Sequence, residues 1–223
     1  MEIMPGIHQI DGVNGNCYLV LGDEPMLVDT GMPGNAGKIL DYVKSVGKPP
    51  FDIKTIVITH HHVDHVGNVF ELKKATGATV ASHRDDADYI SGRKRQETPK
   101  GVSFLFKVMR LFMKAKPVQS DILLGDGNTI GGFQVVHAPG HTQGSICLYD
   151  AQRKVIFVGD TVRFMNGRIE GPPERFTADP GKAKQSIEKI SNLNFDVMLS
   201  GHGQPLRPNA SYRVKDFYRV WKG

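Results

Sequence analysis

Four side chains of the kinds that bind metal ions lie within six residues of one another in the segment ITHHHVDHVG, residues 58–67: His60, His62, Asp64 and His65. Imidazole and carboxylate ligands suit Zn, Mn and Fe ions. Side chains two positions apart on an extended chain point the same way, so we expect His60 and His62 to face one site and His61 to face away. We interpret four candidate ligands this close together as a sign of two neighbouring divalent ions.

Three later positions have the same character, because each places a ligand side chain at the end of an apolar run with glycine beside it. His141 stands in PGHTQGS after FQVVHAP, Asp160 stands in VGDT after KVIFV, and His202 stands in SGHG after DVMLS. Glycine permits the tight turns and close approaches that such loops require. Loops at strand ends commonly carry functional residues on a rigid sheet, so these three complete a predicted set of seven ligands.

The elements that would position these ligands alternate between short strands and helices. The apolar runs predict strands at about 7–11, 17–21, 25–29, 54–60, 79–83, 121–124, 133–137, 144–149, 154–158 and 196–200. Helical spacing predicts helices at about 35–46, 67–76, 181–191 and 209–221, with a helical insert at about 84–118 and a Gly/Pro-rich loop at 163–181. Strands in hairpins with helices between them indicate an α/β (α+β) fold of sheets covered by helices.

Length and composition favour one ordinary globular domain, residues 1–223. The two cysteines, Cys17 and Cys147, stand in separate apolar runs, which predicts buried free thiols and a reducing compartment. The opening residues MEIMPGIHQIDG lack the pattern of a signal peptide, and no run is apolar for long enough to span a membrane. We therefore expect a cytoplasmic protein.

The insert at about 84–118 is the part with the most possible roles. Its Phe104, Leu105, Val108, Leu111 and Phe112 form an apolar stripe at helical spacing. Basic residues surround the stripe: Arg93, Lys94, Arg95, Lys100, Lys107, Arg110, Lys114 and Lys116. The pattern fits a lid over the site, with Phe104 and Phe112 touching the substrate. It fits equally a homodimer contact, a membrane-surface helix or ordinary core packing.

Taken together, the motifs resemble the metallo-β-lactamase-fold superfamily, and within it the glyoxalase II-like hydrolases. The resemblance covers nearly the whole chain except the insert, and it implies a four-layer αββα sandwich. It assigns His60, His62 and His141 to one ion and Asp64, His65 and His202 to the other, with Asp160 bridging them. Asp64 and Asp160 are then the predicted catalytic carboxylates. Asp29, in LVDTG at 27–31, matches the family's outer-shell aspartate, which orients a ligand.

Departures from individual branches of that family narrow the substrate by exclusion. Only 21 residues follow His202, so we do not expect the glutathione-binding region of glyoxalase II enzymes. Lactonases have a tyrosine shortly after the bridging aspartate, where this chain reads TVRFMNG. Within that stretch, Arg163 and Phe164 are candidate substrate contacts, as is His83 at the end of a predicted strand.

The predicted reaction is hydrolysis of an ester, thioester, lactone or phosphoester. Two divalent ions, with Zn expected first and Fe or Mn as alternatives, lower the pKa of a shared water to about 7, and the resulting hydroxide attacks a small acyl or anionic substrate. The main alternative is a mononuclear iron persulfide dioxygenase that uses only His60, His141 and Asp160. A weakly active ligand-binding protein and a nuclease are further alternatives. The basic insert favours the nuclease and the short chain argues against it, so we expect no clear nucleic-acid partner.

Overall fold

A computed structural model describes residues 1–95 and 115–221. The chain divides into two compact units, Met1–Leu123 and Leu124–Gly223, and each is organised around its own main β-sheet. Whether the units act as the single predicted domain stays a prediction. The predicted substrate contacts Phe104 and Phe112 lie outside the described residues. None of the helices formed by the described residues is both long and apolar enough to span a bilayer.

The sheet of the first unit contains seven strands in sequence order, which are β1 (Glu2–Met4), β2 (Ile7–Ile10), β3 (Cys17–Val20), β4 (Met26–Val28), β5 (Thr55–Ile58), β6 (Thr79–His83) and β7 (Ile122–Leu124). Strands β1 to β4 pair antiparallel, whereas β4, β5 and β6 pair parallel. Parallel neighbours end at the same edge of a sheet, so the residues that follow β4, β5 and β6 emerge together. Asp29, His60 and Arg84 are among them.

Among the described residues of the first unit, the α-helices are α1 (Ala36–Ser45), α2 (Val63–Val66), α3 (Val69–Thr76) and α4 (Arg84–Ile90), and a short 3-10 helix spans Pro50–Asp52. Helix α1 buries Ile39 and Val43 in a core that also contains Leu27, Ile56 and Leu72. Helix α3 ends at Gly77, whose positive φ of 74° closes the helix with a hydrogen bond from its N–H to the Lys73 carbonyl. Burial of these apolar faces fixes the strand ends from which the polar loops emerge.

The main sheet of the second unit has five strands in the order β14, β11, β10, β9, β8. Their bounds are β8 (Thr129–Ile130), β9 (Phe133–His137), β10 (Ile146–Asp150), β11 (Val155–Gly159) and β14 (Val197–Ser200). Only β11 and β14 pair parallel. The residues that follow these two strands, Asp160 and His202 among them, therefore emerge at the same edge.

The described residues of the second unit form two α-helices, α5 (Pro180–Ser191) and α6 (Ala210–Trp221), and a short 3-10 helix at Glu174–Phe176. Asp179 caps α5 by accepting a hydrogen bond from the Lys182 N–H at 2.9 Å, and Pro180 occupies the first turn, where its missing N–H costs nothing. Ile187, Ile190 and Val214 from the two helices join the apolar core of this unit.

The predicted loop at 163–181 is partly wrong, because it contains a hairpin of β12 (Arg163–Met165) and β13 (Arg168–Glu170). Its turn residues Asn166 and Gly167 both have positive φ, at 51° and 77°. Asn-Gly is the preferred pair for such a two-residue turn. The predicted helix at 67–76 also begins later, at Val69, after the separate turn of helix α2.

Both cysteine thiols are buried in their sheets, so we expect them to be unreactive in the folded protein. Burial, reinforced by the nearby negative charge of Asp29, raises the pKa of Cys17 well above its usual value. Burial also raises the pKa of Cys147 to about 12, although the Thr161 hydroxyl opposes the shift. Because the thiolate is the reactive form, Ellman's reagent at about pH 8 should modify neither thiol until guanidinium chloride unfolds the chain.

The same pKa shifts predict how the stability of the protein depends on alkaline pH. Above about pH 8.5 the unfolded thiols ionise while the folded ones stay protonated, so the free energy of unfolding should fall as pH rises. Rapid labelling of either cysteine in the native protein at about pH 8 would contradict the burial described here.

Candidate metal centre

The first four predicted ligands converge within the first unit. Strand β5 ends at Ile58, the chain continues without regular secondary structure to His62, and α2 then carries Asp64 and His65. The His60 ring centroid lies 4.8 Å from that of His62 and 3.9 Å from that of His65. His60 and His65 are buried, whereas Asp64 is partly exposed. A strand end followed by one helical turn therefore gathers three imidazoles and leaves a carboxylate beside them.

Asp29, which follows β4, contacts residues on both sides of this histidine cluster in the sequence, Thr59 and His65. Its carboxylate accepts hydrogen bonds from the Thr59 N–H at 2.8 Å and the Thr59 hydroxyl at 2.7 Å. The same carboxylate lies 2.8 Å from Nδ1 of His65. An ionised carboxylate only accepts hydrogen bonds, so the His65 ring proton belongs on Nδ1. If His65 binds a metal, Nε2 is the nitrogen that would coordinate it, as is usual for a histidine backed by a carboxylate.

Thr30 and Asn68 fasten the neighbouring loop to helix α2. The Thr30 hydroxyl and backbone N–H both donate to the His65 carbonyl, each at 2.8 Å. The Asn68 amide donates to the carbonyls of Thr30 and Met32, at 2.6 and 2.7 Å. All these groups are buried or nearly so, and their mutual satisfaction makes the loop costly to displace.

The second unit gathers the other three predicted ligands. Asp160 directly follows β11 and is 8% exposed. Its Oδ2 lies 3.5 Å from Nε2 of His141 and 3.4 Å from Nε2 of His202. A carboxylate oxygen set between two imidazole nitrogens is a donor set suited to a divalent cation, because hard oxygen and borderline nitrogen ligands are combined.

His141 is held by the loop before helix α5. The Ala178 N–H donates to the His141 carbonyl at 3.1 Å, and the Thr177 hydroxyl lies 3.4 Å from His141 Nδ1. Gly140 adopts a φ of +135°, and a Cβ there would lie 2.2 Å from the Ala183 nitrogen. Only glycine fits this backbone against helix α5, so the helix and the His141 loop depend on each other.

His202 has a similar dependence on glycine. Gly203 has a φ of +88°, and a Cβ there would lie 2.2 Å from the Phe164 carbonyl oxygen. The Gln204 N–H donates to that same oxygen at 2.9 Å. The β12–β13 hairpin therefore packs against the backbone that carries His202.

The side chain of His61, which we expected to face away from the other two histidines, packs against residues of helix α4. Its ring stacks on Tyr89 with centroids 4.2 Å apart, and its Nδ1 lies 2.9 Å from Oδ2 of Asp86. The His61 N–H also donates to this Oδ2, at 2.9 Å. Asp86 is 1% exposed, so a buried carboxylate of helix α4 holds His61, the middle residue of the three consecutive histidines 60–62.

Replacing Asp86 by Ala should lower the free energy of unfolding by about 1.5–3 kcal/mol, because it removes the charged acceptor of the His61 N–H. The matched control is Asp85→Ala, which removes an exposed carboxylate from the same turn of helix α4 and should cost less than about 0.5 kcal/mol. Urea unfolding monitored by circular dichroism measures both changes. Equal costs for the two variants would show that Asp86 does not anchor the segment.

The predicted substrate contacts have structural partners in their own units. Arg163 lies 2.7 Å from the Glu170 carboxylate across the β12–β13 hairpin, and the Arg213 guanidinium lies 4.9 Å over the Phe164 ring. His83 caps helix α4, where its Nδ1 accepts a hydrogen bond from the Asp85 N–H at 3.2 Å. Contact of Arg163, Phe164 or His83 with a substrate stays a prediction.

The groups that support the predicted ligands were not among the candidate residues predicted from the sequence. They are Thr30, Thr59, Asn68, Asp86 and Thr177. A local signal existed only for Thr59, which directly precedes the first histidine. The other four act on residues 25 or more positions away, and hydrogen bonds of that kind leave no periodic trace in a sequence.

Comparison with known proteins identifies the family. The sequence profile of the metallo-beta-lactamase superfamily matches residues 10–202. The probable metallo-hydrolase YflN of Bacillus subtilis is 29% identical, over 92% of this chain and 86% of that protein. A hydroxyacylglutathione hydrolase of Ectopseudomonas mendocina is 31% identical, over 85% of this chain and 66% of its own length. The human acyl-coenzyme A thioesterase MBLAC2 is 28% identical, over 93% of this chain and 79% of that protein.

A solved structure agrees with these sequence relatives. TTHA1623, crystallised in a di-iron-bound form, is 27% identical and superposes with a TM-score of 0.73, over 95% of this chain and 98% of that one. The predicted α/β fold class is thereby confirmed. The predicted resemblance is confirmed as well, because the chain belongs to the metallo-beta-lactamase superfamily and has the metallo-β-lactamase fold.

Proposed function

We propose that this protein is a hydrolase with a dinuclear metal centre, which cleaves small acyl substrates and prefers thioesters among them. The observation that carries the proposal is the convergence of ligand side chains at strand ends within each unit. Three imidazoles with a carboxylate lie in the first unit, and a carboxylate between two imidazoles lies in the second. Nitrogen and carboxylate ligands fit Zn, Fe or Mn.

In the proposal, His60, His62 and His141 hold one ion, Asp64, His65 and His202 hold the other, and Asp160 serves both. When bound, two such ions would supply an activated water and polarise the substrate oxygen. The chain itself orients these groups: Asp29 fixes His65, the loop at Thr177 fixes His141, and Gly203 fixes the backbone beside His202. Asp64 and Asp160 are the proposed catalytic carboxylates.

Two of the relatives support an acyl substrate. One is named as a hydrolase of hydroxyacylglutathione and another as an acyl-coenzyme A thioesterase. A thioester carbonyl is an electrophile that an activated water attacks without a serine or cysteine nucleophile. The two buried cysteines, whose raised pKa values keep them protonated, fit a mechanism that has no thiolate nucleophile. Reduced free thiols also support the proposed cytoplasmic location.

The test begins by stripping the purified protein with a chelator and reloading it separately with Zn, Fe(II) or Mn. Metal per chain is counted, and each form is assayed on acyl-glutathione and acyl-CoA thioesters beside matched oxygen esters, a lactone and a phosphodiester. We expect about two ions per chain and thioester cleavage only in the loaded forms. A single iron per chain with oxygen uptake on glutathione persulfide would overturn the proposal in favour of a dioxygenase.

A further inference from the structure

The contact between Thr59 and His60 extends the reach of the Asp29 carboxylate. The Thr59 hydroxyl, which donates to Asp29 at 2.7 Å, also lies 3.1 Å from Nδ1 of His60. Asp29, Thr59, His60 and His65 are all buried, at 2%, 1%, 1% and 0% exposure. Hydrogen bonds among groups at this depth are not replaced by water, so their polarity is decided within the protein.

That polarity follows from counting hydrogens. A threonine hydroxyl has one hydrogen, and the carboxylate takes it because a carboxylate has none to give. At its contact with His60 the Thr59 oxygen therefore only accepts. The proton of the neutral His60 ring then belongs on Nδ1, as it does in His65, where Asp29 accepts directly. Both rings consequently present Nε2 as the nitrogen that binds a metal.

We propose that Thr59 is a positioning residue that relays the Asp29 carboxylate to His60, so that one carboxylate sets the tautomers of two imidazoles. The functional role of this relay rests on the proposed function, in which His60 and His65 bind different ions. Asp29 then prepares both metal sites, whereas the Thr59 hydroxyl prepares only the site of His60. The two sites share one carboxylate and differ by one hydroxyl group.

The second unit has a similar arrangement, in which the acceptor behind the threonine is a backbone carbonyl instead of a carboxylate. The Thr177 hydroxyl donates to the Pro173 carbonyl at 2.8 Å and lies 3.4 Å from Nδ1 of His141. A carbonyl also only accepts, so the Thr177 oxygen accepts from His141 by the same count. In both units, a threonine hydroxyl donates its hydrogen to a more distant acceptor, and its oxygen then accepts the hydrogen bond of a histidine ring.

The test reads the ring protons directly in metal-free protein at one fixed, mildly alkaline pH. Nitrogen-15 NMR of labelled histidines distinguishes a proton on Nδ1 from one on Nε2. In the wild type we expect Nδ1 protonation for His60 and His65. In Thr59→Val, which keeps the shape and removes the hydroxyl, His60 should shift towards Nε2 protonation while His65 stays unchanged. Thr59→Ser should restore the His60 signal.

Two further variants complete the design. Asp29→Gly suits the backbone, whose φ of 57° glycine adopts freely, and should release both rings. Thr55→Val is the matched control, because it removes a threonine hydroxyl at the start of β5, the strand that directly precedes Thr59, where the partner is Thr79. Thr55→Val should leave both tautomers as in the wild type. His60 keeping Nδ1 protonation in Thr59→Val would overturn the relay.

Cobalt binding provides the second readout. In Thr59→Val the affinity for one ion should fall by about tenfold to a hundredfold, as is usual when a group behind a ligand is lost, and Thr59→Ser should recover it. Equal weakening of both ions would contradict a relay that serves His60 alone. A wild type with the expected tautomers but no metal affinity would instead refute the proposed function and leave the relay standing.

Discussion

Replacing Asp160 by Asn is expected to lower kcat/KM for the best thioester by about a hundredfold to a thousandfold and to reduce the metal content from about two ions per chain to one or fewer. The carboxylate lies nearly buried, 3.5 Å from Nε2 of His141 and 3.4 Å from Nε2 of His202. An amide of the same size keeps one oxygen but removes the negative charge that two cations would share. Metal analysis and steady-state kinetics on the same preparations measure both effects.

The control for this variant is Asp150→Asn. Asp150 is also an aspartate at a strand end of the second unit, where its carboxylate lies 2.6 Å from Nε of Arg153. It is not among the predicted ligands, so its amide should retain full metal content and kcat/KM. An Asp160→Asn protein that binds as much metal as the wild type and turns over at the same rate would remove Asp160 from the proposed centre.

Replacing Gly140 by Ala should destabilise the protein by more than about 3 kcal/mol. Two costs add together. The φ of +135° is one that L side chains rarely adopt, and the new Cβ would lie 2.2 Å from the nitrogen and 2.4 Å from the Cα of Ala183. Those atoms are backbone at the start of helix α5, which cannot rotate away as a side chain can.

Two other glycines separate these costs in urea titrations. Gly132 has a φ of +81° with open space around its Cβ position, so Gly132→Ala should cost about 1 kcal/mol from conformation alone. Gly37 in helix α1 has neither problem, and Gly37→Ala should stabilise by about 0.5–1 kcal/mol. If Gly140→Ala costs no more than Gly132→Ala, helix α5 does not pack closely against the His141 loop.

Much of the fold could be predicted because burial leaves a period in the sequence. Strands β6 and β9 begin and end where their apolar runs predict, at Thr79–His83 and Phe133–His137. The β12–β13 hairpin was missed because Gly and Pro around it indicated a loop. The Asn166–Gly167 pair between RFM and RIE was the available signal, since both residues adopt the positive φ of a two-residue turn.

The candidate site was predictable in its residue types but not in its supports. Ligand histidines and aspartates stand out because few other roles gather them at strand ends. Asn68 shows what the sequence hides: its side chain accepts from the N–H groups of Asn35 and Ala36 while donating to Thr30 and Met32. The residues next to Asn68 in the sequence do not indicate these partners, which are more than 30 residues away and come close only once the sheet has formed.

The backbone of Asp29 has a consequence for how this position tolerates replacement under selection. Its φ of 57° admits few residues without strain, chiefly glycine, asparagine and aspartate. Its three hydrogen bonds require a side chain that accepts on both oxygens, which only a carboxylate does. Glutamate meets the second demand but not the first, and glycine and asparagine meet only the first. A library randomised at this codon should return several residues when screened for folding and aspartate alone when selected for turnover.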